Sequence, residues 1–205
     1  MNIYTELIIS IVIGYLLGSI PFALVIGKVF YKTDVRKFGS GNLGGTNTGR
    51  VLGKKAGASV MALDILKVVI AIFITSHFKN YEVTTVWTGF AAAIGHCYPL
   101  FAGFKGGKAV ATLGGFIIRT SAFTFKSVWF IIVPLATFLI ILKITKMVSL
   151  SSICTAIISA IQICILIPNM STKIASILFA ILVVYRHRAN IERIINKTES
   201  KITWM

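Results

Sequence analysis

The sequence predicts an all-α, polytopic membrane helix bundle, and three observations carry that reading. Of 205 residues, 56% are hydrophobic and only 13% charged, whereas about a quarter of a soluble domain is charged. The apolar residues fall in repeated blocks that match a bilayer core, which takes roughly 20 residues of helix. The cations, which give a formal net charge of +15, gather in alternate loops between those blocks. Three cysteines (Cys97, Cys154 and Cys164) lie in or beside apolar blocks at no metal-ligand spacing. A disulfide scaffold, a zinc module and a disordered chain are thereby excluded. In such a chain the positive charge speaks for topology and anionic head groups rather than nucleic acid.

About seven transmembrane helices are expected, at residues 4–26, 56–76, 83–100, 110–125, 127–142, 148–168 and 174–185. The fourth, fifth and seventh are short or interrupted, so five or six spans are the alternatives. The seventh reads as shallow, with Lys173 and Arg186 snorkelling from its ends. The first block has no Lys or Arg in residues 1–6, and Gly18-Ser19-Ile20-Pro21 interrupts it where a cleavage pattern would be needed. It reads as a retained helix, not a signal peptide. Sixteen of the 21 Lys and Arg fall in loops on one side; Lys79, Lys126 and Lys173 fall on the other, and Lys67 and Arg119 inside spans. The positive-inside rule then places the N terminus outside and the C terminus in the cytoplasm. One integral membrane domain over residues 1–205 is expected.

The longest polar segment between spans, residues 32–57, carries glycines at 39, 41, 44, 45 and 49, together with Ser40, Asn42, Thr46, Asn47 and Arg50. Glycines let backbone N–H groups converge on an anion, short polar side chains add donors, and arginine adds a planar charged fork. Gly39-x-Gly41-x-x-Gly44 fits the dinucleotide fingerprint by spacing, but it follows a membrane helix and lies in no strand–helix–strand unit. Gly44-x4-Gly49-Arg50-Val51 lacks the Lys and Ser or Thr of a nucleotide P-loop. The bland alternative is a flexible basic loop lying on head groups.

A second loop runs from Gly95-His96 to Lys105-Gly106-Gly107-Lys108 and leads into the fourth span. Two ammonium groups and bare backbone at a helix start make an anion site, although lysines flanking a span also serve topology alone. After the last span, His187 and Asn190 stand three apart on one helix face, with Arg186 and Arg193 near it. Asp64, with Lys67 one turn on, lies on the order of 12 Å along the second span. A charge at that depth reads either as a site or as an internal ion pair that fastens helices. Arg119 has no acidic residue near it in the sequence and reads as a snorkelling residue.

Taken together and in order, these segments resemble the bacterial acyl-phosphate:glycerol-3-phosphate acyltransferases, the PlsY family. The resemblance rests on Gly18-Ser19-Ile20-Pro21, Gly39-Ser40-Gly41-Asn42-x-Gly44-x-Thr46-Asn47-x-x-Arg50, Asp64-x-x-Lys67, Gly95-His96-x-x-Pro99-x-Phe101, Phe104-Lys105-Gly106-Gly107-Lys108 and Arg186-His187-x-x-Asn190. It implies a multi-pass enzyme of the bacterial plasma membrane whose active site faces the cytoplasm. The implied reaction moves a fatty acyl group from acyl phosphate to the 1-hydroxyl of glycerol 3-phosphate, giving lysophosphatidic acid and phosphate. Ser40, His96, Lys108 and His187 match positions expected to support transfer. Gly41, Asn42, Gly44, Gly45, Thr46, Asn47, Arg50, Lys105 and Asn190 match positions expected to hold substrate. No cofactor, metal, nucleic acid or obligate protein partner is implied; membrane lipid is. The family commonly has Ala at position 45 and Gly at position 109, where this chain has Gly45 and Ala109; both residues are small, so the shape is expected to survive.

The residues favour this chemistry independently. Acyl phosphate is a mixed anhydride with a good leaving group, so direct attack by the glycerol hydroxyl needs no enzyme nucleophile and no Ser–His–acid triad. Loop amides and cations would stabilise the developing oxyanion and the departing phosphate. His187, Ser40 and the leaving phosphate are all candidates for the proton. A transporter or binding protein for phosphorylated solutes or lipids is the alternative, but such proteins tend to show repeated halves, and no convincing repeat is present.

Overall fold

The computed structural model describes residues 1–202, and all of their side chains but those of 123–125. Among the described residues the regular structure is helical, with no strand: α1 (Ile3–Gly18), α2 (Phe22–Tyr31), α3 (Gly45–Leu52), α4 (Lys54–Thr75), α5 (Tyr81–Cys97), α6 (Val110–Arg119), α7 (Trp129–Thr145), α8 (Val148–Leu166), α9 (Met170–Arg186) and α10 (Arg188–Ile195). The chain forms two compact units, Met1–Phe116 and Ile117–Met205.

In the first unit α1 lies along α5, and α4 packs against both. The α1–α5 approach is set by small residues. A Cβ on Gly14 would overlap the Thr88 carbonyl, and one on Gly18 would meet the Ala92 backbone. A Cβ on Gly95 would meet Ser19 N at 2.9 Å. Bare backbone thus faces bare backbone, the mode of association that works where lipid removes the usual hydrophobic drive. Between α4 and α5 the hydroxyls of Thr75 and Thr88 share a hydrogen bond of 2.9 Å.

Pro21 has no N–H and cannot continue α1, so the first apolar block breaks over Ser19-Ile20-Pro21 and resumes as α2. The expected span of 4–26 is therefore two helix segments that reach Tyr31. In the second unit α7, α8 and α9 pack in sequence. At His187 the chain bends by 57° from α9 into α10. The tail returns, and the Ile202 N–H donates to the Lys146 carbonyl at 2.8 Å.

Each expected span overlaps helix, the first over α1 and α2 and the fourth over α6 and the π-helical turn that follows it. Among the described residues, three segments can cross a membrane by length and composition: Ile3–Tyr31, Lys54–Thr75 and Val148–Leu166; the bent pair Met170–Arg186 with Arg188–Ile195 makes a fourth. Val110–Ala122 and Trp129–Thr145 are apolar but shorter, so length and composition alone do not reach seven. Arg119 differs from expectation outright. It is 6% exposed rather than snorkelling, at the point where α6 gives way to the π-helical turn Thr120–Phe125.

Candidate active site

The polar segment after α2 is an ordered turn followed by a helix rather than a loop throughout. Asp34 caps the 3₁₀ turn Val35–Lys37 by accepting from Arg36 N–H at 3.1 Å. It also pairs with the Arg36 guanidinium at 2.7 Å. Hydrogen bonding by that guanidinium outweighs partial burial and holds the Asp34 carboxyl down to about 2. Gly39 and Gly41 then take φ of +59° and +67°, the left-handed region glycine enters without steric cost. A Cβ on Gly39 would overlap Asn47 Oδ1.

Asn47 occupies the centre of this turn and is 1% exposed. Its Oδ1 accepts from Ser40 N–H at 2.8 Å, and its Nδ2 donates to the carbonyls of Val35 and Phe38 at 3.1 and 3.2 Å. A residue expected to face substrate thus has its amide engaged in building the turn, leaving Ser40 at the surface. α3 starts from Gly44, and its first main-chain bond is Thr48 N–H to Gly44 C=O at 3.0 Å. The amides of Gly45 and Thr46 belong to the first turn, at the positive end of the helix. Thr46 and Arg50 are both exposed and one turn apart, hence on one face.

Gly45 has a second role that spacing did not reveal. A Cβ there would meet Gly57 O at 2.7 Å and Met61 Cβ at 3.2 Å, and one on Gly57 would meet Gly49 Cα at 2.7 Å. These glycines let α3 lie directly on α4.

The second segment follows α5. Past the 3₁₀ turn Leu100–Ala102, Gly103 and Phe104 take φ of +64° and +59°, and Lys105 is exposed. Gly106 and Gly107 are buried, and their N–H groups donate to the carbonyls of Cys97 and His96 at 3.2 and 2.9 Å. Lys108 is half-buried. Ala109 sits at φ +61°, and its carbonyl accepts from Leu113 N–H at 2.9 Å and Thr112 Oγ1 at 3.0 Å to open α6. Position 109 therefore does call for glycine geometry, and interchange of two small residues is not neutral there. Both segments stand on one apolar cluster: Val35 and Leu43 from the first, Ala102 from the second, with Ala23, Leu24, Ile26, Ala56 and Val60.

Beneath them Lys67 Nζ pairs with Asp64 Oδ1 at 2.7 Å, with both side chains 2% exposed. Lys67 also donates to the Ile20 carbonyl, beside the proline break, at 2.9 Å. Its Nζ is 3.2 Å from His96 Nδ1. The ion pair expected from the one-turn spacing is present, and it joins three elements rather than two.

His187 and Asn190 belong to the second unit, and both are buried. His187 Nδ1 is 2.8 Å from the Val183 carbonyl. A carbonyl only accepts, so Nδ1 carries a proton, and in the neutral ring the lone pair lies on Nε2. Asn190 Nδ2 donates to Glu199 Oε1 at 2.7 Å. Glu199 also accepts from Ser149 Oγ at 2.7 Å and Arg193 Nε at 2.8 Å. Burial pushes its carboxyl up, but the three donors outweigh that and hold it below the usual range. Motif matching gave no sign of Glu199 or Ser149. The available signal was scarcity, since the chain has only six acidic residues.

Comparison with known proteins bears on what these residues serve. Residues 8–197 match the family model described as glycerol-3-phosphate acyltransferase. Relatives of that name are 45% identical in Geobacillus kaustophilus, over 95% of both chains, and 46% identical in Listeria monocytogenes, over 98% of both. One in Bacillus anthracis, named glycerol-3-phosphate acyltransferase 3, is 49% identical over 93% of this chain and 92% of its own. Two crystal structures of PlsY, described as an integral membrane glycerol 3-phosphate acyltransferase, superpose at 35% identity over 96% of this chain and 95% of theirs. The glycerol 3-phosphate form gives a TM-score of 0.86 and the lysophosphatidic acid form 0.84. The chain belongs to the glycerol-3-phosphate acyltransferase family.

Proposed function

We propose that this protein transfers a fatty acyl group from acyl phosphate to the 1-hydroxyl of glycerol 3-phosphate at the cytoplasmic face of a bacterial plasma membrane. The observation that carries the reading is the pair of anion-suited segments in the first unit, the start of α3 and the Lys105–Lys108 turn, standing on one apolar cluster. Two phosphate-bearing substrates call for two such sites. The amides of Gly45 and Thr46, with Ser40 and Arg50, hold one phosphate; Gly41, Asn42 and Gly44 shape that approach. Lys105 and Lys108 hold the other, and Asn47 acts through the turn it builds.

In the reaction the glycerol O1 forms an ester bond to the acyl carbonyl carbon while the carbonyl-carbon-to-oxygen bond of the anhydride breaks. The hydroxyl proton is balanced by departure of the leaving group as hydrogen phosphate, and no acyl-enzyme forms. Cations and amides fixed in advance stabilise the charge passing from carbonyl oxygen to phosphate, and holding both reactants supplies the positioning contribution. His187, whose Nε2 bears the lone pair, is assigned to the transfer, and Asn190 to substrate holding.

The test is phosphate release by purified protein in lipid nanodiscs. Release should require both acyl phosphate and glycerol 3-phosphate, with lysophosphatidic acid formed in equal amount. Arg50→Ala and Lys108→Ala should each abolish it or raise a KM strongly. Release without glycerol 3-phosphate, or acyl transfer only from a thioester donor, would overturn the proposed donor and mechanism.

A further inference from the structure

His96 ends α5 where the Lys105–Lys108 turn folds back, and it is held from two sides. On one edge Nδ1 faces Lys67 Nζ at 3.2 Å. An ammonium has only protons to give, so Nδ1 accepts and the ring proton sits on Nε2. The distance from Nδ1 to Asp64 Oδ1, 3.5 Å, is too long to be the main bond. On the opposite edge the ring lies against Gly107, where a Cβ would overlap Nε2. A Cβ on Gly106 would overlap the His96 carbonyl and meet Pro99 Cδ at 2.5 Å. Glycine at 106 and 107 is therefore required by what lies behind the turn as well as by any ligand in front of it.

We propose that Asp64, Lys67 and His96 are positioning residues: a buried strut whose outer end, the imidazole edge, sets where the Gly106–Gly107 backbone and its flanking lysines stand. This rests on the reading that the turn holds a phosphorylated substrate. It gives His96 a positioning role in place of the catalytic one the resemblance implies, because the nitrogen able to accept is turned to Lys67. The strut starts at the Ile20 carbonyl, so the proline break in the first block is part of it.

The test is a double-mutant cycle in nanodiscs using His96→Asn and Gly107→Ala. The carboxamide oxygen of Asn can still accept from Lys67, while nothing occupies the former Nε2 position. Each single variant should raise the KM of a phosphorylated substrate by about tenfold and leave kcat within about threefold. In the double variant the added methyl enters the space the ring has left, so the losses should not multiply. The pH profile of kcat should keep its shape in His96→Asn. Losses that multiply, or a kcat fall of roughly 100-fold or more with a lost pH limb and unchanged KM, would overturn the proposal. A measurement on the unaltered enzyme serves if the variants do not fold. ¹⁵N-histidine NMR has only three residues to resolve (His77, His96 and His187), and it should find His96 Nδ1 unprotonated; a proton there refutes the strut. If the unaltered enzyme releases no phosphate from the two substrates, the functional reading fails, and the NMR result still judges the strut alone.

Discussion

Replacing Asn47 with Ala removes three hydrogen bonds at once, and the three groups left behind do not cost the same. Ser40 is exposed, so its N–H turns to water at little cost, and the Phe38 carbonyl keeps the Gly41 N–H at 3.1 Å. The Val35 carbonyl belongs to a residue with no exposure, and it keeps only a long bond from the Phe38 N–H at 3.4 Å. Leaving such a group under-satisfied costs about 1–2 kcal/mol, and the lost bonds add roughly 1 kcal/mol net. The sum is about 2–3 kcal/mol, nearly all of it local to residues 35–47. The thermal midpoint in nanodiscs should fall, and kcat/KM for the phosphorylated substrate should fall by about 100-fold or more at temperatures where the variant is still folded. A stability loss with unchanged kcat/KM would refute the link between this turn and substrate. No stability loss would refute the Asn47 network itself.

Ala109→Gly should raise the thermal midpoint, because φ of +61° costs a residue with a Cβ about 1 kcal/mol; a fall would show that the left-handed geometry is not strained. The Asp34 carboxyl, depressed from 3.8 to about 2, contributes stability that is present above about pH 4 and lost as pH falls through about 2. Thermal melts across that window should show this loss for the unaltered protein and not for Asp34→Asn, and parallel curves would remove the contribution. In a cysteine-free background, an impermeant thiol reagent added to intact cells should label Lys79→Cys and spare Lys55→Cys; the reverse pattern inverts the proposed topology.

Helix positions were legible because apolar blocks in lipid leave the backbone no partner but itself. α3 was not. Gly, Thr and Asn are poor helix formers, and what makes residues 45–52 helical is the close fit of Gly45 and Gly49 on Gly57, a contact made in space. The motif residues were legible as a set, while their directions were not. Asn47 turns inward to make hydrogen bonds 7, 9 and 12 residues away. Lys67 and His96 meet across 29 residues. The spacing of Asp64 and Lys67 did announce their pair, because one helical turn brings such residues together. Glu199 escaped notice because its donors lie up to 50 residues off, on other elements.

The glycine seam between α1 and α5 divides tolerance to substitution sharply within a single helix. Gly14 and Gly18 admit no methyl group without parting the two backbones, and the α5 end displaced by that parting carries His96. One turn around α1, Ile8, Ile11, Val12 and Leu16 are exposed, and there almost any greasy side chain should serve. A saturation library along α1 would therefore show dead and silent positions alternating at the helical repeat. The dead ones would report on catalysis from helix faces that never meet a substrate.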